Sequence, residues 1–153
     1  MTEVRAKLAE LGLTLPIAAK PVAAYVPAVR TGNIVFTAGQ LPMSEGALVA
    51  TGKVGANISV EDAKQLAQLC AINALAAVET VVSVNQIVRV IRVVGYVNGA
   101  PGFNSHPAVI NGASELFLNI WGEAGKHARS AIGVAELPFD APVEVELTVE
   151  VAD

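Results

Sequence analysis

The sequence predicts a two-layer α+β sandwich, a mixed and mostly antiparallel sheet covered by two helices, and three observations carry that expectation. Two stretches, near 59–81 and 107–121, repeat apolar residues at helical spacing. Short β-branched or alternating runs at 26–30, 34–38, 86–97 and through the last quarter read as strands. No repeat, low-complexity tract or Pro/Gly/Ser-rich linker divides them, so the order ββαβαββ belongs to one continuous fold. A chain of 153 residues suits a single domain over 1–153 with a helical extension over about 1–16. It buries about 70% of the surface that its unfolded form exposes.

Residues 3–12 form a short amphipathic helix with Val4, Leu8 and Leu11 on one side, stopped by Gly12 and the Pro16 beyond it. Val26–Arg30 and Ile34–Ala38 flank Thr31-Gly32-Asn33 as a hairpin. Gly39-Gln40-Leu41-Pro42 breaks the second strand and opens a loop through Gly46, Gly52 and Gly55, whose backbone freedom suits a ligand-facing segment. The first long helix begins at Ser59 as N-cap with Asp62 three residues on, and sets Ala63, Leu66, Ala67, Cys70, Ala74, Ala77, Val78 and Val81 on one face. That face is mostly alanine, so it can lie close on a sheet. Gln86–Val97 is too β-branched to be other than a strand buried on both faces or at a subunit contact. Its Arg89 and Arg92, three apart, are expected on opposite sides. A second helix over roughly Pro107–Trp121 turns Val109, Ala113, Leu116, Phe117 and Ile120 inward and closes at Gly122; two strands separated by 137–142 finish the chain.

Apolar residues make up 53% of the chain and charged residues only 16%, more greasy surface than one small core hides. Oligomerisation is its natural sink. No run approaches the roughly 18 apolar residues of a membrane span, so no membrane partner is expected. Glu3, Arg5, Lys7 and Glu10 stand where a signal peptide would be apolar. A lone cysteine, Cys70, fits core packing and a reducing compartment, and the expected location is the cytoplasm. The net charge of −4 argues against broad electrostatic capture of nucleic acid, which needs clustered Lys and Arg. His106, His127 and Cys70 have no metal-ligand spacing, and neither a metal nor a cofactor is expected.

The functional signal lies in the last quarter. His127-Ala128-Arg129-Ser130 and Val143-Glu144-Val145-Glu146-Leu147 put an arginine and a carboxylate into segments that read as sheet, where charged residues are seldom buried unless paired or used. A pocket for a small acid is one explanation. A guanidinium grips a carboxylate with two parallel charge-assisted bonds, and a nearby carboxylate can take a proton from an attacking water. Ser130 has no sign of a positioned base and is a weak nucleophile candidate.

Thr37-Ala38-Gly39-Gln40-Leu41-Pro42, Asn111-Gly112-Ala113, Ala128-Arg129-Ser130, Ala135-Glu136-Leu137-Pro138 and Val143-Glu144-Val145-Glu146, in that order over about 17–151, resemble the Rid family, also called YjgF and formerly endoribonuclease L-PSP. The resemblance implies a chorismate-mutase-like fold, a homotrimer with three clefts between protomers, and hydrolysis of 2-imino acids to 2-oxo acids and ammonia. It implies that Arg129 binds the substrate carboxylate and that Glu144 positions or activates water. Tyr25, Gly39 and Asn111 match cleft positions of the family. His127 stands where the family commonly has proline, Ala131 where many deaminating members have cysteine or another small polar residue, and the N-terminal helix is an addition.

Each residue has a plainer reading. Arg129 could close an interface ion pair, and Glu144 shares a strand face with Glu146 and Glu150 and could belong to a solvated stripe. Tyr25 could be an ordinary half-buried aromatic, Gly39 a turn residue and Asn111 a helix cap. His127 either tunes the pocket near neutral pH or is simply exposed beside Lys126. A simple hairpin of the last two strands about Phe139 would set residue 129 opposite roughly 150 rather than 144. Three functions follow: an imine or enamine hydrolase, a non-catalytic binder of small carboxylic or 2-oxo acids, and a ribonuclease or translation inhibitor. The last fits an acidic chain least.

Overall fold

The strict alternation of Val143-Glu144-Val145-Glu146-Leu147-Thr148-Val149-Glu150-Val151 builds the strand on which the rest is organised. The computed structural model describes residues 2–21 and 23–153, and besides three short 3-10 turns they form ten helices and strands. They are α1 (Val4–Glu10), β1 (Ala28–Thr31), β2 (Ile34–Thr37), β3 (Met43–Ser44), β4 (Ala47–Leu48), α2 (Val60–Glu79), β5 (Ile87–Asn98), α3 (His106–Trp121), β6 (Ala128–Val134) and β7 (Val143–Val151). Five strands form one sheet in the order β1-β2-β7-β5-β6, antiparallel except for the β5–β6 pair. The odd residues of β7 are buried beneath the helices, while Glu144, Glu146, Thr148 and Glu150 point to the opposite, open face. Among the described residues no helix is long and apolar enough to cross a membrane.

Helix α2 begins as its sequence dictates, the Ser59 hydroxyl accepting from the Asp62 amide at 3.1 Å. Its alanine face is buried together with Leu66, Cys70, Leu75 and Val78, whereas Val81, past the helix end, is exposed. Small residues set how close α2 and α3 lie. A Cβ at Gly112 would meet the Lys64 backbone carbonyl, and such overpacking costs about 1–3 kcal/mol. Helix α3 buries Val109, Ala113, Leu116, Phe117 and Ile120 and stops at Gly122, whose φ of 57° a side chain would strain.

At seven residues, α1 is too short to be stable alone. Tertiary contacts hold it: the Asn85 side chain accepts from the Val4 amide at 2.9 Å, and Arg5 meets Glu79 at 3.1 Å. Val4 and Leu8 are buried as expected, but Leu11 is exposed. The chain reverses at Gly12 (φ +72°), and Leu13 packs against the core in its stead. The segment 43–48, expected as plain loop, is a tight hairpin whose turn residues, Glu45 and Gly46, both have positive φ.

Strand β5 departs most from its sequence reading. Register shifts between Ile87 and Arg89 and between Val90 and Arg92 insert two irregularities. Arg89 therefore pairs with Glu150 and Arg92 with Thr148, positions two apart on β7. Both arginines lie on the open face, not on opposite sides. One face of β5 is sealed by helices; the other belongs to a sheet surface on which Val29, Phe36 and Ile132 are exposed.

Candidate functional site

Glu144 reaches its surroundings from the open face of β7, through an irregularity in the strand beside it. Phe36 pairs with Thr148, whereas Gln40 pairs with Val145, so β2 runs on with one residue more than its partner. Two backbone bonds, Gln40 N–H to Val145 O at 2.8 Å and Val145 N–H to Gln40 O at 3.0 Å, fix the loop after the shift. Gly39 is thereby laid against Glu144, whose carboxyl group occupies the space that a Cβ would need. Any side chain at position 39 would evict the carboxylate. That requirement, rather than turn conformation, accounts for this glycine.

Tyr25, Gly39 and Glu144 line a single cavity of about 310 Å³ with Leu41, Met43 and Phe139. Glu144 is half-buried and, among the described residues, its carboxylate has neither an ion-pair nor a hydrogen-bond partner. Burial, followed by the neighbouring charge of Glu146, pushes its carboxyl above the ordinary carboxylate range. A carboxylate of this kind is a stronger base than a solvated one.

Arg129 belongs to a different surface. Its strand does not form a hairpin with β7, because β5 lies between them and pairs Val93 with both Arg129 and Leu147. Arg129 accordingly faces the helix side of the sheet and Glu144 the open side. The expected register of 129 opposite 150 does not occur, and the two residues do not meet within one chain.

What Arg129 meets is α3. Its Nη1 donates to Asn111 Oδ1 at 2.8 Å and to Ser114 Oγ at 3.2 Å. Asn111 sits inside the helix, not at its end, so it is no cap. His127 is half-buried rather than exposed, its ring edge-on to Phe117. Its Nδ1 lies 2.6 Å from the Gly125 carbonyl and its Nε2 2.9 Å from Ser114 Oγ. The carbonyl can only accept, so Nδ1 carries the proton and neutral Nε2 accepts from the Ser114 hydroxyl. Ser114 Oγ is then left to accept from Arg129, and every donor in the run has a taker. The remaining guanidinium edge, Nε and Nη2, has no protein partner among the described residues, and no carboxylate lies within salt-bridge reach. A guanidinium with one edge free can take an anion in a two-pronged grip. Ala131 follows two residues along β6 on the same side.

Burial lowers the affinity of His127 for a proton and nearby Arg129 lowers it further, against the opposing hydrogen bond to Gly125. The unfolded chain takes up a proton near the ordinary value of 6.5, while the folded chain resists until lower pH. Stability contributed by this group is therefore complete above 6.5 and is lost as pH falls from there through the lower folded value. Urea titrations between pH 7.5 and 5 are expected to show this acid-side loss, and His127→Gln to flatten it; an unchanged profile in the variant would assign the loss to other groups.

The sequence-predicted residues thus fall into two sets, Tyr25, Gly39 and Glu144 on the cavity, and Asn111, Arg129, Ala131 and His127 about the edge strand. Ser114, which links Arg129 to His127, escaped the sequence reading although it lies one helical turn from Asn111. Phe139 also escaped it. Among the described residues no three His, Cys, Asp or Glu side chains gather as a metal site. Cys70 is buried, its thiol pushed up by burial first and then by Glu144, 3.7 Å from the Val143 carbonyl, and it belongs to the core.

Fold and geometry together define a small α+β protein in which the cavity at Glu144 and the free guanidinium edge of Arg129 lie on opposite faces of one sheet. Over residues 5–151 the sequence matches the family described as "YjgF/chorismate_mutase-like, putative endoribonuclease", and the chain belongs to that family. It is similar to Protein TCP17 of Trypanosoma cruzi, with 39% identity over 149 residues covering 96% of this chain and 93% of that protein. The crystal structure of protein Atu1372 from Agrobacterium tumefaciens is 44% identical, with a TM-score of 0.90 over 97% of this chain and 92% of that one. Escherichia coli TdcF, crystallised with bound serine, is 27% identical, with a TM-score of 0.64 over 88% of this chain and 94% of its own.

Proposed function

We propose that the protein is a metal-independent imine hydrolase that converts 2-imino acids to 2-oxo acids and ammonia at sites shared between the subunits of a homotrimer. The observation that carries this reading is the complementary incompleteness of the two half-sites. Among the described residues Arg129 holds a free guanidinium edge with no anion, and Glu144 holds a raised carboxylate that no cation pairs with, although Lys20 lines the same cavity. A single chain keeps them on opposite faces of its sheet; apposing the edge strand of one chain to the cavity of the next supplies both to one ligand. Val29, Phe36 and Ile132, exposed on the open sheet face, are the apolar surface such an assembly covers. TdcF was crystallised with an amino acid, a ligand that likewise offers a carboxylate beside an α-nitrogen.

In this mechanism Arg129 takes the substrate carboxylate in a two-pronged grip while Asn111, Ser114 and His127 hold its other edge. Water attacks the imine carbon, its oxygen bonding there as one proton passes to Glu144. The same proton is returned to the imine nitrogen, giving a carbinolamine. The carbon–nitrogen bond then breaks, the hydroxyl proton travelling by way of the carboxylate to the departing nitrogen, so that a 2-oxo acid and ammonia leave. Nothing is oxidised or reduced.

The test is ammonia release from imino acids generated in place by an amino-acid oxidase. Release faster than the uncatalysed rate is expected. Binding of 2-oxo acids without any acceleration would instead support a carrier of small carboxylic acids, and neither would remove both readings. Sedimentation equilibrium is expected to give a trimer at micromolar concentration; a stable monomer would leave each half-site incomplete. Arg129→Lys keeps the charge and loses the fork, so 2-oxo acid affinity should fall by roughly tenfold or more with the trimer intact. Unchanged binding by calorimetry would make the arginine structural.

A further inference from the structure

The cavity beside Glu144 has a wall of a particular chemistry. Apart from Glu144, Gln40, Lys20 and the Tyr25 hydroxyl, the side chains around its volume of about 310 Å³ are apolar: the Tyr25 ring, Leu41, Met43 and Phe139, with prolines and alanine completing it. A methyl group would leave most of that space to water held against apolar surface. A branched aliphatic or aromatic group would fill it.

Phe139 sharpens the point, because the fold holds it there against its own preferences. Phe139 and Asp140 both have φ of 58°, two consecutive non-glycine residues in the left-handed region, a conformation that costs energy at each. The turn persists because it is tied from beneath. Asn98, wholly buried, donates to Asp140 Oδ1 at 3.3 Å and to the Ala141 carbonyl at 3.2 Å, and the Gly52 amide donates to the Asp140 carbonyl at 2.8 Å. Lys53 anchors Asn98 in turn at 2.7 Å. The outcome is a phenylalanine, 67% exposed as a residue, at the lining of a cavity. Packing within the chain does not repay that arrangement.

We infer that the imino acids this site accepts carry a branched aliphatic or aromatic hydrocarbon α-substituent, seated against Phe139, Tyr25, Leu41 and Met43. The inference rests on the hydrolase reading above and specifies its substrate class. With the carboxylate on Arg129 and the imine carbon beside Glu144, the α-substituent is the part left to enter the apolar space. A chemical origin follows. A parent amino acid with a plain hydrocarbon side chain has no β-leaving group, so its imine arises by two-electron oxidation of the amine, with a hydride-accepting oxidase or dehydrogenase as the supplying reaction, and not by β-elimination.

The experiment compares imines generated by amino-acid oxidase from leucine, phenylalanine, alanine and glutamate; the imine carbon is planar, so either enantiomer of the parent serves. Each buried methylene is worth about fourfold, and kcat/KM for the leucine and phenylalanine imines should exceed that for the alanine imine by at least ~10-fold. Phe139→Asn tests the wall, since asparagine tolerates the left-handed backbone and spares the turn. It is expected to shrink that ratio to about threefold or less. Equal or better turnover of the alanine or glutamate imine, or a ratio unmoved in Phe139→Asn, would overturn the substrate class while leaving hydrolysis standing. If no imine is hydrolysed, calorimetry with 4-methyl-2-oxopentanoate, phenylpyruvate and pyruvate decides. Preference for the first two supports the apolar ligand class with catalysis rejected; absence of that preference, or of any binding, rejects it.

Discussion

Glu144→Gln is expected to slow imine hydrolysis by about 10²-fold or more while 2-oxo acids still bind through Arg129 with near wild-type affinity. Glutamine keeps the shape that Gly39 accommodates, so the cavity survives the substitution. What it loses is the capacity to accept a proton from water. The substitution also removes a half-buried charge that has no partner within the described residues, so it carries no unpaired-ion penalty of its own. Rate and affinity must be measured on the same assembled protein. Wild-type turnover would return Glu144 to an ordinary strand charge like Glu150, to which Asn33 donates at 3.2 Å. Equal loss of binding and turnover would make it an organiser of the pocket and not a base.

The helices were legible because their determinants are local. A hydroxyl at 59, alanine at helical spacing and a glycine at 122 act within a few residues of where they stand. The hairpin of β1 and β2 was legible for the same reason. Strand order was not. Nothing in 128–151 announces that β5 inserts between β6 and β7, since the turn 137–142 looks like a hairpin loop and the parallel crossover is carried by α3. The two irregularities of β5 left no mark either: an extra residue in a continuous β-branched run changes no residue type, yet it carried Arg89 and Arg92 to one face. The site divided along the same line. Arg129 and Glu144 were visible as charges out of keeping with their strands, and the resemblance gave them roles, but their placement depends on strand order. Gly39 is explained only once the shifted β2 sets it against Glu144. Ser114 was accessible in principle, three residues from Asn111 on one helix, and was passed over because a serine in a helix carries no signal until its two partners are known.

The division of the site predicts that two inactive proteins can restore each other. Let Arg129→Gln remove the carboxylate grip in one chain, with glutamine still able to donate to Asn111 and Ser114, and let Glu144→Gln remove the base in another. Each homotrimer is then expected to retain ~1% of wild-type turnover or less. Refolded together in equal amounts, three quarters of randomly mixed trimers contain both chains. Each of these has a single interface at which an intact Glu144 of one subunit meets an intact Arg129 of its neighbour, so total activity should recover to about one quarter of wild type. A site formed within one chain predicts no recovery at any ratio, because no chain in the mixture holds both residues. Varying the ratio adds a second constraint. Recovery should peak at equal proportions and fall symmetrically on either side, as the product of the two fractions, whereas a variant rescued merely by better folding in company would follow the abundance of its partner.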